Sequence, residues 1–308
     1  RIAVDCTFGS FVNTIRFIFS NLSGCEAPQS VPEETIETGG APREILYPEA
    51  DTIQETISPD LLADPQALLN RFFVVDPNTS VLPGEIDGST LLGKDLTLPE
   101  NAEGPQILIY HTHSQENYRD YAGSDGKGAV VSLGEELAKR LRAKGYQVWH
   151  DTTAYDMKSG HLDRSRAYTY ACEGVTNLLQ KYPSIQVILD VHRDGVSEQT
   201  HLVTQIEGKP TAQIMFFNGT SETPDGPIEY LANPCRKENL AFSFQMKWNA
   251  DQIYPGFTRT IYLKGLRYNL HLRPRSALIE VGAQTNTYEE AVNAMDPLAQ
   301  LLDQVLTG

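Results

Sequence analysis

The sequence predicts an α/β protein: a mostly parallel central sheet flanked by helices, preceded by an acidic N-terminal extension. Three observations predict it. From residue 105 onward, short apolar runs alternate with segments whose apolar residues recur at helical spacing, the signature of strand–helix units. The runs at 107–110, 187–191 and 277–281 are nearly continuous in apolar residues, as strands covered on both faces must be. Residues 26–59 show no apolar period and set Pro28, Pro32, Gly39, Gly40, Pro42, Pro48 and Pro59 among Glu and Thr, the composition of a tether.

In chain order, residues 1–25 read as a membrane-proximal segment. Residues 8–19 are partly apolar but broken by Asn13 and Arg16, so they are expected as a short amphipathic helix or the remains of an anchor-proximal stretch. No run of 18 or more apolar residues exists in the chain as given. Residues 26–59 form the acidic linker. Residues 60–104 are expected as an N-terminal subdomain packing on the core. Within it, 60–75 reads as a short helix running into a strand, because Asp64-Pro65 supplies an N-cap and a proline at the first helical position. Residues 105–308 form the main domain, opening on a strand at 107–110. A helix at 132–144 presents Leu133, Leu137 and Leu141 on one face and stops at Gly145. A strand at 146–150, a helix at 163–181, strands at 187–191 and 213–217, a helix at 234–250, a strand at 277–281 and a helix at 287–306 complete the alternation.

The net charge of −15 is unevenly spread. Residues 26–103 hold sixteen Asp and Glu against Arg43, Arg71 and Lys94, a net of −13, so the main domain is close to neutral. No basic stripe of the kind duplex nucleic acid requires is present. The cysteines (Cys6, Cys25, Cys172 and Cys235) show no C-x-x-C spacing, which excludes a zinc ribbon or a redox motif. Four in a chain this long do not make a disulfide scaffold either.

Functional groups in parallel sheets gather just past the carboxyl ends of the strands. Three strand ends carry chemistry here. The first leads into Tyr110-His111-Thr112-His113-Ser114-Gln115-Glu116-Asn117-Tyr118. His113 and Glu116 are three apart, the spacing at which one turn of chain can aim an imidazole and a carboxylate at one point. The second delivers His192-Arg193-Asp194-Gly195, and the third delivers Glu280. Singly, each has a plain structural explanation, a capped histidine or a solvated or Arg-paired glutamate. Brought to one rim, they compose a site.

His113, Glu116 and His192 as ligands to zinc leave a fourth position open, as in catalytic rather than structural centres. Glu280, set among Ala277, Leu278, Ile279 and Val281, is the expected general base, with a pKa raised by that apolar setting. His111 lies two before His113 and would share its face on an extended strand, so it stands as an alternative ligand or a supporting partner. Arg193 is expected to hold its loop or contact substrate, and His201 to hydrogen-bond a metal-ligating side chain or the substrate; His150 and His161 read as structural or exposed.

The blocks Ile-Leu-Ile-Tyr-His-Thr-His-Ser-Gln-Glu-Asn-Tyr (107–118), Val-Trp-His-Asp-Thr-Thr-Ala-Tyr (148–155), Ile-Leu-Asp-Val-His-Arg-Asp-Gly (188–195) and Ala-Leu-Ile-Glu-Val-Gly-Ala-Gln-Thr-Asn-Thr-Tyr-Glu-Glu-Ala (277–291) occur in the order found in stage II sporulation protein P of endospore-forming bacteria, and the chain resembles that family over about 60–308. The resemblance implies a zinc amidase- or carboxypeptidase-like fold. It implies a zinc-dependent peptidoglycan hydrolase similar to the N-acetylmuramoyl-L-alanine amidases, which cut between N-acetylmuramic acid and the stem peptide; members are also credited with cleaving peptide cross-links. It further implies an N-terminal membrane anchor, action outside the mother-cell membrane during engulfment, and stage II sporulation proteins D and M as partners.

One departure stands out. In the broader amidase family the zinc-binding Glu opens the next helix. Residues 128–132 carry no carboxylate here, so the three-residue step to Glu116, resembling zinc carboxypeptidases, makes Glu116 the ligand and leaves Glu135 or Glu136 a poor substitute. A zinc carboxypeptidase-like peptidase and an inactive wall-binding scaffold are the competing readings.

Overall fold

A computed structural model describes residues 59–99, 103–121 and 128–308. The segment at 1–25 and all but Pro59 of the linker at 26–59 lie outside the described residues. Eight helices and seven strands of one sheet organise the rest. In chain order they are α1 (Pro59–Ala63), α2 (Pro65–Phe72), β1 (Phe73–Val75), α3 (Gly88–Gly93), β2 (Ile107–Tyr110), α4 (Val130–Ala143), β3 (Val148–His150), α5 (Ala167–Lys181), β4 (Val187–Asp194), β5 (Ile214–Gly219), α6 (Arg236–Ile253), β6 (Ile261–Lys264), β7 (Ser276–Ala283), α7 (Tyr288–Asn293) and α8 (Met295–Thr307). Three small two-stranded hairpins decorate the connections. Among the described residues no helix is long and apolar enough to cross a membrane.

The sheet order is β1-β6-β5-β7-β4-β2-β3. Every neighbouring pair is parallel except β5 and β7, which run antiparallel. The sheet is therefore mostly parallel and flanked by helices, as expected. Residues 60–104 do more than pack on it: β1 pairs with β6 and forms one edge. Asp64 caps α2 by accepting from the backbone of Gln66 and Ala67 at 2.9 and 3.1 Å.

Some elements differ from the expectation. The strand β6 escaped the sequence reading because Ile261 and Leu263 alternate with Tyr262 and Lys264 and make no continuous apolar run. The helix expected at 132–144 starts two residues earlier, and Ser132 lies inside it, donating to the Ala129 carbonyl at 2.9 Å. The closing helix breaks into α7 and α8 at Ala294. Pro297 lacks the N–H that would bond the Asn293 carbonyl, so an unbroken helical ladder cannot form there.

The two faces of the sheet are unequally covered. Ile107, Ile109, Val187, Leu189, Val191, Ile214, Phe216, Ile261, Leu263, Ala277, Ile279 and Val281 point to the larger core, which α4, α6 and α8 close. The other face carries Leu108, Tyr110 and Ile188 beneath Ala171, Cys172, Val175 and Leu179 of α5. By strict alternation Asp190, His192, Leu278, Glu280, Met215, Phe217 and Tyr262 share this second face.

The loop after β6 crosses β5 at Gly219, where an added Cβ would lie 2.4 Å from the Leu266 carbonyl oxygen and 2.7 Å from that of Arg267. Both obstacles are backbone and cannot swing away. Gly219→Ala is therefore expected to destabilise the fold by about 1–3 kcal/mol, read as a lowered urea midpoint with an unchanged slope.

Candidate metal and catalytic site

The strand β2 ends at Tyr110, and the chain turns through 112–115. Asp156 pins this turn, accepting from Ser114 Oγ at 2.5 Å and from the Gln115 amide at 3.1 Å. The turn returns His113 to the second face, beside His192 at the end of β4. Their rings stand edge to face with centroids 5.1 Å apart. Glu116 lies between them: its Oε1 is 3.4 Å from His113 Nδ1 and its Oε2 is 3.4 Å from His192 Nδ1. The Arg193 amide also donates to Glu116 Oε2 at 3.1 Å. Burial alone would raise the Glu116 pKa, but hydrogen bonds from His113 and His192 hold it well below the usual carboxylate range.

One residue in this centre was not singled out from the sequence. Asp190 is fully buried, and its Oδ1 lies 2.8 Å from His192 Nε2. The backbone and hydroxyl of Thr112 donate to the same carboxylate at 2.9 and 2.6 Å. The carboxylate orients the imidazole so that Nδ1 faces Glu116, the arrangement by which an outer carboxylate fixes a metal-binding histidine. The available signal was a lone charge in an otherwise apolar strand, two residues before His192 and hence on its face.

Glu280 sits on β7 directly opposite His192 in the parallel register. Burial, and secondarily the Asp194 carboxylate, push its pKa up to about 8. Arg259 pairs with Asp194 at 2.6 Å.

His113, Glu116 and His192 each place a ligand atom within 4.8 Å of the others. His113 Nε2 and Glu280 Oε2 are buried without a hydrogen-bond partner. Two imidazoles and a carboxylate are the donor set zinc takes most readily, and unpaired buried polar atoms are what a missing cation and its water leave behind. The residues fit the ion.

Other expected participants sit elsewhere. His111 was expected to share the face of His113; alternation carries His111 to the first face, but the turn at 112–115 takes His113 to the second. Its Nδ1 is 2.9 Å from the Val191 carbonyl and its Nε2 is 3.0 Å from His150 Nε2, while His150 Nδ1 is 2.9 Å from Glu135. Gly134 makes room, since a Cβ there would lie 2.5 Å from His111 Nε2. His111 therefore supports the backbone just before His192 and offers no free nitrogen to the cluster.

His201 bonds Glu290 of the α7 capping box at 2.8 Å through Nε2 and is not one of the three residues of the cluster. Glu135 and Glu136 lie on α4, paired with Arg142 and with Lys139 and Arg140. Arg193 does reach the site, and its guanidinium donates to the Asn117 and Asp194 carbonyls. Beside it opens a pocket of about 360 Å³ lined by Gln115, Asn117, Arg119, Arg193, Glu198 and Gln284.

The buried His271, beyond β6, has no partner on either ring nitrogen, and burial, with Arg267 adding, lowers its pKa to about 3. The native state holds it neutral while the unfolded chain binds a proton below pH 6.5, so stability falls as pH falls from about 6.5 toward 3. Each pH unit in that window costs about 1.4 kcal/mol at this one residue. Chemical denaturation at pH 7 and pH 5 is expected to show a smaller loss for His271→Leu than for the native chain.

Fold and site together define an α/β protein whose strand ends assemble a buried His/Glu/His centre with a carboxylate beside it. Residues 54–303 match the family model for Stage II sporulation protein P (SpoIIP), and the chain belongs to that family. No match is found among curated proteins. Similar solved structures include the CwlD amidase from Clostridioides difficile in complex with the GerS lipoprotein, at 12% identity over 65% of this chain and 99% of that one, with a TM-score of 0.41. The catalytic domain of the CD27L endolysin targeting Clostridia difficile shares 13% identity over 66% and 96%, with a TM-score of 0.40. The N-acetylmuramoyl-L-alanine amidase AmiC2 of Nostoc punctiforme shares 11% over 66% and 98%, with a TM-score of 0.39.

Proposed function

We propose that this protein is a zinc-dependent peptidoglycan hydrolase that cleaves the N-acetylmuramoyl-L-alanine bond. The observation that carries the reading is the convergence of His113, Glu116 and His192 on one point, with Glu280 at the adjoining register position. These three side chains would hold the ion, and Asp190 would orient His192. Bound zinc supplies Lewis-acid polarisation of the scissile carbonyl.

The chain's own residues do the rest. Glu280, with a pKa near neutrality, takes the proton of the attacking water and passes it to the leaving amine. The Arg193 amide and both histidines hold Glu116 ionised. Tyr168, edge to face with His113 at 5.6 Å, walls one side of the centre against water. Family membership supports action in sporulation. The same reading extends to cleavage of peptide cross-links, attachment to the membrane through an N-terminal anchor, action outside it during engulfment, and partnership with stage II sporulation proteins D and M. A carboxypeptidase-like peptidase shares the same metal logic and differs only in the bond cut. An inert wall-binding scaffold has no use for a buried, unpaired base.

Purified protein is expected to carry about one zinc per chain by elemental analysis, and mass spectrometry of digested sacculi is expected to show released stem peptides with intact glycan. Zinc-free protein that zinc does not activate sinks the reading, and split cross-links alone turn it into a peptidase. Glu280→Gln is expected to keep zinc and lose at least about a hundredfold in turnover, the usual worth of a general base. His113→Ala is expected to lose the ion, and His111→Ala to retain it.

Asp190→Asn keeps shape while removing charge, and is expected to weaken zinc binding by about 10–100-fold in chelator competition. Native affinity in that variant would dismiss Asp190 as the orienting group.

A further inference from the structure

The second face of the sheet holds a feature that the chemistry at the cluster does not use. The helix α5 covers it only over β2, β3 and β4. The apolar cluster beneath α5 includes no residue of β5, β6 or β1. Four aromatic rings lead from the His/Glu/His cluster onto this half in unbroken contact, the first of them on α5. Tyr168 meets His113 edge to face, Tyr268 meets Tyr168 with centroids 5.3 Å apart, Phe217 meets Tyr268 at 4.8 Å, and Tyr262 meets Phe217 at 5.5 Å.

All four residues are partly exposed, and Val74 on the edge strand, 44% exposed, extends the row beside Tyr262. The row is held by devices that serve no other evident purpose. Tyr268 and Asn269 both adopt left-handed backbone, at φ 48° and 59°, which is costly for a bulky side chain. Asn269 repays part of that cost by donating to the Tyr168 carbonyl at 2.9 Å. Tyr262 donates to Asp76 at 2.7 Å.

Next to Arg193, whose amide donates to Glu116, the surface has different chemistry. The pocket is lined by Arg119, Arg193 and Glu198 together with Gln115, Asn117 and Gln284. The bond assigned above joins a saccharide to a peptide. Its enzyme needs two unlike surfaces near the reacting atoms, and a row of rings and a polar pocket both lie close to the cluster.

A pyranose presents a C–H face to an aromatic ring and a rim of hydroxyl and amide groups to water. A file of half-buried rings is complementary to that shape and carries no charge to repel or attract. A stem peptide, with free carboxylates and an amine, matches the charged pocket. We propose that Tyr168, Tyr268, Phe217 and Tyr262 form a saccharide track that holds the glycan strand, while the Arg119/Arg193 pocket takes the stem peptide, fixing the direction in which substrate crosses the cluster. The proposal rests on the hydrolase reading for the identity of the saccharide.

Calorimetric titration of the full chain with two probes tests it: a peptide-free tetrasaccharide of alternating N-acetylglucosamine and N-acetylmuramic acid, and a free stem tripeptide. Phe217→Leu keeps apolar volume but removes the ring, and Tyr268→Asn tolerates the left-handed backbone. Each is expected to weaken tetrasaccharide binding about tenfold with under about a twofold effect on the tripeptide. Arg119→Ala is expected to show the reverse preference, and thermal unfolding identifies the folded variants.

Tetrasaccharide binding unchanged in both folded ring variants overturns the track and reassigns the row to a protein surface; absent binding by the native chain overturns it too. Ring-dependent saccharide binding by a chain that releases no stem peptide from sacculi keeps the track and removes the hydrolase reading. Release of stem peptide with ring-independent binding does the opposite.

Discussion

A buried carboxylate must be met by donors, and Glu116 imposes that demand on the whole rim of the sheet. It is 5% exposed, yet charged, because His113, His192 and the Arg193 amide surround it. Each of those donors has to be held in turn. His192 is fixed by Asp190, Asp190 by Thr112, and the turn carrying Thr112 and His113 by Asp156. The Glu116 backbone carbonyl accepts from Val130, tying the first turn of α4 to the loop, and the Tyr118 hydroxyl donates to the Val281 carbonyl of β7. Three strands and a helix are thus joined through polar contacts that make sense only if the carboxylate keeps its place. An uncompensated charge there would cost several kcal/mol.

The antiparallel pairing of β5 with β7 decides what surrounds that centre. Had β5 followed the parallel rule, its carboxyl end and the loop after it would lie on the same rim as His113, His192 and Glu280. Reversal instead brings the start of β5 to the rim, placing Met215 opposite Glu280 and Phe217 opposite Leu278. The chain leaving β5 departs from the far end. Space beside the cluster stays open, and the loop after β6 crosses Gly219 to bring Tyr268 against Tyr168.

The parts of this architecture legible in the sequence were those written in local patterns. Apolar runs marked β2, β4 and β7; Asp64-Pro65 marked the start of α2; the strand-end rule brought out His113, His192 and Glu280 together. What escaped depended on long-range pairing or on one bond in a turn. The side on which His111 falls is fixed by where β2 stops, because alternation sends odd and even residues apart and only the turn at 112–115 returns His113. Strand β6 makes no continuous apolar run and ends on Lys264, yet it carries Tyr262. Asp190 was visible as a charge but not as a partner, since its role appears only when Thr112 is brought across from β2.

The same distinction explains why the centre reads more clearly than the surface that feeds it. Ligand chemistry restricts a position to a few residue types, so two histidines and two glutamates at strand ends stand out against an apolar background. A row of rings does not: Tyr168, Phe217, Tyr262 and Tyr268 come from a helix, two strands and a loop, and each alone reads as ordinary packing. Their meaning lies in contact order across the face, with successive centroids 4.8–5.6 Å apart beginning at His113. A fully closed core would bury such rings under a helix. Here they remain partly exposed, with a charged pocket also close to the cluster, and such an asymmetry in desolvation would give a substrate with one apolar-faced arm and one ionic arm a single favourable way to lie.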